Sequence, residues 1–261
     1  MVRRSLAWSL LAAVALSVVA CTSSGSATPP PDASVAPGSE PPAEAGEGTV
    51  TAAGGGSNEA YRIVTLGDSY TYGSGTDAPG RDSWPAQLQQ ALTQRGDLRV
   101  YLRNLAKASH PSGQVLEDQV DQVEGHEPDV VTLQVGVNDI AGNEVEWYGG
   151  NVGAIFDRLL LVLPPERIFA ITTPDHKLTG WGQTYGTEDT IDALNASLLE
   201  EAVARGIEVI DIGPVNDRVA VDDSLLVQSD PPEPYPTAKQ YAGWAEIIGP
   251  YIYDALSTAQ P

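Results

Sequence analysis

Ser69 stands in Val64-Thr65-Leu66-Gly67-Asp68-Ser69-Tyr70, at the end of an apolar run and ahead of a glycine-rich stretch. A serine so placed can be presented on a tight turn with its hydroxyl in a cleft, where it would act as a nucleophile toward a carbonyl. Gly-Asp-Ser by itself is weak evidence, because the same residues make ordinary turns. A second element, Gly136-Val137-Asn138-Asp139, follows another apolar run and offers an amide that can donate to an oxyanion on a substrate held at Ser69. Two such elements in register are far more specific than either. Three histidines could serve as a base: His110, His126 and His176. Glycines 73, 75 and 80 indicate a mobile loop after the serine and not a phosphate cradle, since no Lys-Ser/Thr pair completes a P-loop.

The elements that must position these residues alternate in regular order. Apolar runs at Tyr61 to Leu66, Arg99 to Leu105, Val130 to Val135, Ile168 to Thr172 and Ile207 to Ile212 read as strands. Between them, Trp84 to Gln94, Gly113 to Val123, Val152 to Leu163 and Asp189 to Arg205 carry apolar residues at helical spacing, and a last helix covers Thr237 to Ala255. Strands apolar on both faces and separated by helices imply an α/β fold with a five-stranded parallel sheet, covered on both sides as a three-layer α/β/α sandwich. Ligands of such sheets bind outside the carboxyl ends of the strands. The loops that follow the first four strands hold Ser69, Ser109-His110, Asn138 and Asp175-His176, whereas His126 falls at the opposite end.

These blocks resemble the SGNH/GDSL hydrolases, with Val64 to Tyr70 as the first block and Val135-Gly136-Val137-Asn138-Asp139 as the third, and the resemblance covers nearly all of residues 61–255. It implies a flavodoxin-like sandwich that cleaves esters of acyl chains, lipids or acetylated sugars with no metal and no cofactor. It also implies Ser69 as nucleophile and Asn138 as the side-chain oxyanion donor. In Asn104 to Gly113 the position of the family's oxyanion glycine is taken by Ser109, whose backbone N–H survives the change; Gly113 is a candidate displaced substitute.

The larger departure is before the last helix, where the family has Asp-x-x-His-Pro and this chain has Ser229-Asp230-Pro231-Pro232-Glu233-Pro234-Tyr235-Pro236. Tyr235 therefore stands at the histidine position, and Asp230 is five residues ahead of it instead of three. A neutral phenol with a pKa of about 10 is a poor acceptor for a serine proton. Of the histidines, His176 is the first candidate for a relocated base and His110 the second; Asp175, Asp230 and Glu233 are feebler, because an ordinary carboxylate titrates near about 4. Two classes of function follow. One is an acyl-ester hydrolase or transferase working through Ser69. The other is a silent relative that keeps the cleft and binds an acyl or glycan ligand.

The N-terminus places the chain. Arg3 and Arg4 precede an apolar stretch, Leu6 to Ala20, that is too short to span a bilayer, and Val18-Val19-Ala20-Cys21 resembles a bacterial lipobox. Residues 1–20 are expected to be a signal peptide, and the single cysteine, Cys21, the lipidated first residue of a protein held on the outer face of the cytoplasmic membrane. Residues 21–58 are almost entirely Ser, Gly, Pro, Ala, Thr and Glu with hardly a large apolar side chain, which describes a tether. Residues 59–261 suffice for one hydrolase-like domain, expected to be a monomer. The net charge of −21 becomes −23 when Arg3 and Arg4 leave with the signal, and repels nucleic acid and anionic lipid. Trp84, Trp147, Trp181, Tyr148 and Tyr185 are candidates to line an apolar or sugar-stacking cleft, though scattered aromatics more often pack cores.

Overall fold

The computed structural model describes residues 60–142, 145–175, 179, 184, 188–227 and 234–258. The signal peptide, Cys21 and the tether lie outside them. Five runs rich in β-branched residues pair as one parallel sheet in the order β2-β1-β3-β4-β5: β1 (Tyr61–Gly67), β2 (Val100–Asn104), β3 (Val130–Gln134), β4 (Ile168–Ile171) and β5 (Glu208–Ile210). β1 lies between β2 and β3, with Thr65 opposite Asn104 of β2 and Thr132 of β3. Every residue of β3 and β4 is buried, as strands covered on both faces require.

Helices supply that cover. α1 (Trp84–Gln94) and α5 (Ala238–Ser257) lie on one face, where Trp84, Leu88, Trp244 and Ile248 pack with Ile63, Val130 and Ile171. α2 (Ser112–Asp118), α3 (Val145–Leu159) and α4 (Glu188–Val203) cover the other, with Val115, Phe156 and Leu194 against Val64, Leu66 and Leu133. The buried positions of α4, Ile191, Leu194, Leu198 and Ala202, recur every three or four residues and make one apolar stripe. This is the α/β/α sandwich the sequence predicts.

Two boundaries differ from expectation. α3 begins at Val145, seven residues ahead of the expected Val152, and it runs through Gly149, Gly150 and Gly153. A Cβ on Gly149 would fall 2.5 Å from Ser197 Oγ and one on Gly153 2.5 Å from Glu201 Oε2, so these glycines let α3 approach α4 closely. α2 stops at Asp118, short of Val123, and continues as two 3-10 turns, Val120–Gln122 and Glu124–His126. Its end coincides with Gln119, a fully buried amide that turns inward to serve β1.

Candidate active site

The turn after β1 is built on Asp68. Its carboxylate accepts the Tyr70 N–H at 2.9 Å, and its own N–H reaches the Gln134 carbonyl at the end of β3 at 3.4 Å, which joins the turn after β1 to β3. Ser69 follows as the first residue of a one-turn helix, Ser69–Tyr72. Gly67 must be glycine: its φ is 152°, and a Cβ there would lie 2.1 Å from the Gln134 carbonyl oxygen. Three polar side chains brace the turn from neighbouring elements. Gln119 donates to the Gly67 carbonyl at 2.8 Å and accepts the Gly67 N–H at 2.9 Å. Gln134 accepts the Trp84 indole N–H at 2.9 Å and the Thr71 hydroxyl at 3.4 Å. Asn104, at the end of β2, donates to the Thr71 carbonyl at 2.8 Å.

The loops after β2 and β3 are tied in the same manner. Asn138 donates from Nδ2 to the His110 carbonyl at 3.1 Å. Asp139, fully buried next door, accepts the backbone N–H and the hydroxyl of Ser112, and Asn151 of α3 donates to that hydroxyl at 3.0 Å. Ser69, Asn138 and the Ser109-His110 loop therefore belong to three turns joined by direct hydrogen bonds at the carboxyl ends of β1, β3 and β2. Ser69 is mostly covered, with 6% of its surface open.

Ser109 is exposed and takes a φ of 65°, the left-handed conformation that glycine adopts at least cost. Gly113 is the second residue of α2.

The environment shifts the protons of two groups in these turns. Burial, reinforced by the nearby Asp139 carboxylate, pushes the Asp68 carboxyl up to about 7, against the hydrogen bonds from Tyr70 and Gly136 that favour its charged form. Burial, with Lys107 beside it, holds His110 below the usual histidine range, opposed by Asp118. Nδ1 faces the Gln119 amide nitrogen at 3.4 Å, and Nε2 lies 3.7 Å from the Asp118 carboxylate, beyond hydrogen-bond range.

Tyr235 sits half-buried ahead of α5, in a segment clamped to the turn that carries Ser69. The Tyr70 hydroxyl donates to the Pro234 carbonyl at 3.0 Å, and a Cβ on Gly75 would lie 2.6 Å from Tyr235 Cβ. Val227 donates to the Tyr235 carbonyl at 3.0 Å, and Pro236 bridges Leu226. His176, Asp230 and Glu233 lie outside the described residues. His126 occupies a 3-10 turn ahead of β3, at the far end of the sheet. Among the described residues no group of three His, Cys, Asp or Glu could hold a metal ion.

Of the candidate cleft aromatics, Trp84 and Tyr148 are core residues instead, fully buried, with their polar ends bonded to Gln134 Oε1 and the Val135 carbonyl. Trp147 is exposed on α3, and Trp181 and Tyr185 lie outside the described residues. The bracing residues Gln119, Gln134 and Ser112 were not legible as site residues. Gln134 did carry a signal, as the lone amide closing the apolar run Val130 to Leu133. Gln119 carried none, because its partner is Gly67, on another strand.

A model of the GDSL-like lipase/acylhydrolase family matches residues 65–242. No curated protein matches the chain in sequence. Among solved structures, a lipase/acylhydrolase from Enterococcus faecalis superposes with a TM-score of 0.60 at 20% identity, covering 74% of this chain and 96% of its own. A family 3 carbohydrate esterase from Clostridium thermocellum gives 0.59 at 19% identity, covering 77% and 100%. A carbohydrate acetylesterase family member from Sinorhizobium meliloti gives 0.56 at 17%, covering 76% and 99%. At these identities the likeness is one of fold.

Proposed function

The chain belongs to the GDSL-like lipase/acylhydrolase family, and on that premise we propose that it hydrolyses or transfers an acyl ester with Ser69 as nucleophile and Asn138 as an oxyanion donor. The observation that carries this reading is the direct bonding of the loops that hold these residues: Asp68 N–H reaches the Gln134 carbonyl, Lys107 N–H reaches the Gly67 carbonyl, and Asn138 donates to the His110 carbonyl. In the proposed reaction Ser69 Oγ attacks the ester carbonyl. The oxyanion is met by the Asn138 amide, whose Nδ2 has a second hydrogen beyond the one given to His110, and by the Ser109 N–H. The alcohol then leaves and water or an acceptor alcohol takes the acyl group. An acylated lipid or glycan of the envelope is the substrate class that the family membership supports. The serine proton needs an acceptor, and this is the weak step. Tyr235 is a phenol at the family's histidine position, and His110, held below the usual histidine range by burial, has its Nδ1 against the Gln119 amide. General-base assistance is typically worth about 10² to 10⁴ in rate, so slow turnover of activated esters is expected. Aryl-acetate hydrolysis by the wild type against Ser69→Ala tests the assignment: a small serine-dependent rate supports it, and equal rates for the two forms refute it.

The same two observations, Tyr235 and the engaged His110, favour a second reading in which the protein retains the cleft to bind an acyl or glycan ligand without turnover. The location proposed for either role is the outer face of the cytoplasmic membrane, through a lipid on Cys21. Cys21→Ala should release the protein from the membrane fraction or leave an unprocessed precursor. Unchanged fractionation and mass would refute lipidation.

A further inference from the structure

A groove of about 300 Å³ opens beside the turn that carries Ser69, between the end of β2 and the one-turn helix Pro79–Asp82. Tyr72, Pro79, Ala86, Leu102 and Ala106 form its walls. Leu102, Asn104 and Ala106 alternate along β2 and its extended continuation, where Leu105 and Lys107 still donate to Thr65 and Gly67 of β1, so they share one side of the sheet. The four steps from Leu102 to Ala106, at about 3.3 Å each, make a floor of about 13 Å. Tyr72, a wall that is 45% exposed, closes the short helix begun by Ser69. Residues three apart on a helix are neighbours, with about 5–6 Å between their Cβ atoms, so the groove begins one side chain away from the serine.

The lining decides what fits. No charged side chain lines the groove, in a chain whose net charge is −21. Apart from the Tyr72 hydroxyl, its polar side chains are spent or covered. Asn104 Oδ1 accepts the Thr65 hydroxyl and the Ala106 N–H, both at 3.0 Å, and its Nδ2 donates to the Thr71 carbonyl. Ser83 is 1% exposed. A sugar ring would leave hydroxyls unmet against Pro79, Ala86 and Leu102, which is costly, whereas a hydrocarbon chain gives up only its contact with water. The tether is no such occupant, since residues 21–58 hold hardly a large apolar side chain. A floor of this length accommodates a chain of about eight carbons in extended form. We propose that this groove holds the acyl chain of a medium-chain ester whose carbonyl lies at Ser69, a placement that rests on the nucleophile assignment above but not on turnover. The preferred ligand is thus a fatty acyl ester and not an acetylated sugar.

The test compares methyl octanoate with methyl acetate as ligands of the full chain carrying Ser69→Ala, which cannot turn them over by the proposed route, in ligand-observed NMR titrations. Full burial of one methylene is worth about a factor of four in affinity, so the additional methylenes of octanoate, partly covered in an open groove, should favour it by at least about tenfold. Gly80→Arg, at a position where an added Cβ meets nothing within 4 Å, puts a long charged side chain into the groove, and Tyr72→Ala takes away a wall. Each should cut the preference for octanoate severalfold. Glucose pentaacetate, an acetylated sugar, should bind no better than methyl acetate. Equal affinity for the two methyl esters, a preference unchanged in either variant, or tighter binding of the sugar acetate than of octanoate would overturn the proposal. Aryl-acetate hydrolysis by the wild type is followed alongside: octanoate binding that persists without serine-dependent turnover supports the groove and counts against Ser69 as a working nucleophile.

Discussion

The rim over β1, β2 and β3 and the segment leading into α5 face the same chemistry and are built in different ways. Over the three strands, Asp68, Gln119 and Asn104 bond backbone groups of the Ser69 turn, Gln134 accepts the Thr71 hydroxyl, and Asp139 bonds Ser112. These are structural bonds as much as functional ones, and losing any of them leaves buried polar groups unmatched. The segment before α5 is held by backbone contacts, Val227 to the Tyr235 carbonyl and Tyr70 to the Pro234 carbonyl, which do not depend on the side chain at position 235. A histidine there would be needed for proton transfer and not for the fold. The turn that carries Ser69 can therefore persist in a chain with a tyrosine at position 235.

The largest expected effect is on the rim. Asp68 titrates near 3.8 unfolded and about 7 folded, so the folded state binds the proton more tightly. Below about pH 4 both states are protonated and there is no penalty; stability then falls as pH rises toward 7, where ionising the buried carboxyl costs at most about 4 kcal/mol. Asp68→Asn removes that titration. Denaturant melts from pH 4.5 to 8 should show the variant gaining on the wild type as pH rises, with the difference level above pH 7.5. Parallel curves would mean that Asp68 is solvated or matched, and the rim would lose its distinguishing feature.

The next effect belongs to the other region. Tyr235→His places an imidazole on a segment already docked against the Ser69 turn, and aryl-acetate hydrolysis should rise by about 10²-fold, the lower end of the general-base range. Little or no rise would mean that the segment does not present position 235 to Ser69, and that more than one side chain separates this rim from an ordinary serine esterase.

Much of this architecture was legible in the sequence because burial writes itself locally. The run Ile168 to Ile171 is apolar throughout, Val130 to Leu133 is so but for Thr132, and α1 spans the expected Trp84 to Gln94. What escaped was long-range. Gly149 and Gly153 look like helix breakers until Ser197 and Glu201 of α4 are seen to occupy the space a side chain would need. Gln119 reads as one more polar helical residue, although it ends α2 by turning to Gly67. Ser69 and Asn138 were readable as motif residues. The contact of His110 Nδ1 with the Gln119 amide was not, since it depends on how α2 and the loop before it fold together.

The central claim is that Ser69 remains a working nucleophile position in a site whose base has weakened, and covalent trapping tests it most directly. The wild type should be incubated with an aryl phosphonate ester and followed by intact-mass and peptide mapping. The account predicts slow, stoichiometric labelling on Ser69, absent in Ser69→Ala. No adduct after prolonged incubation, or an adduct on another residue, would contradict it.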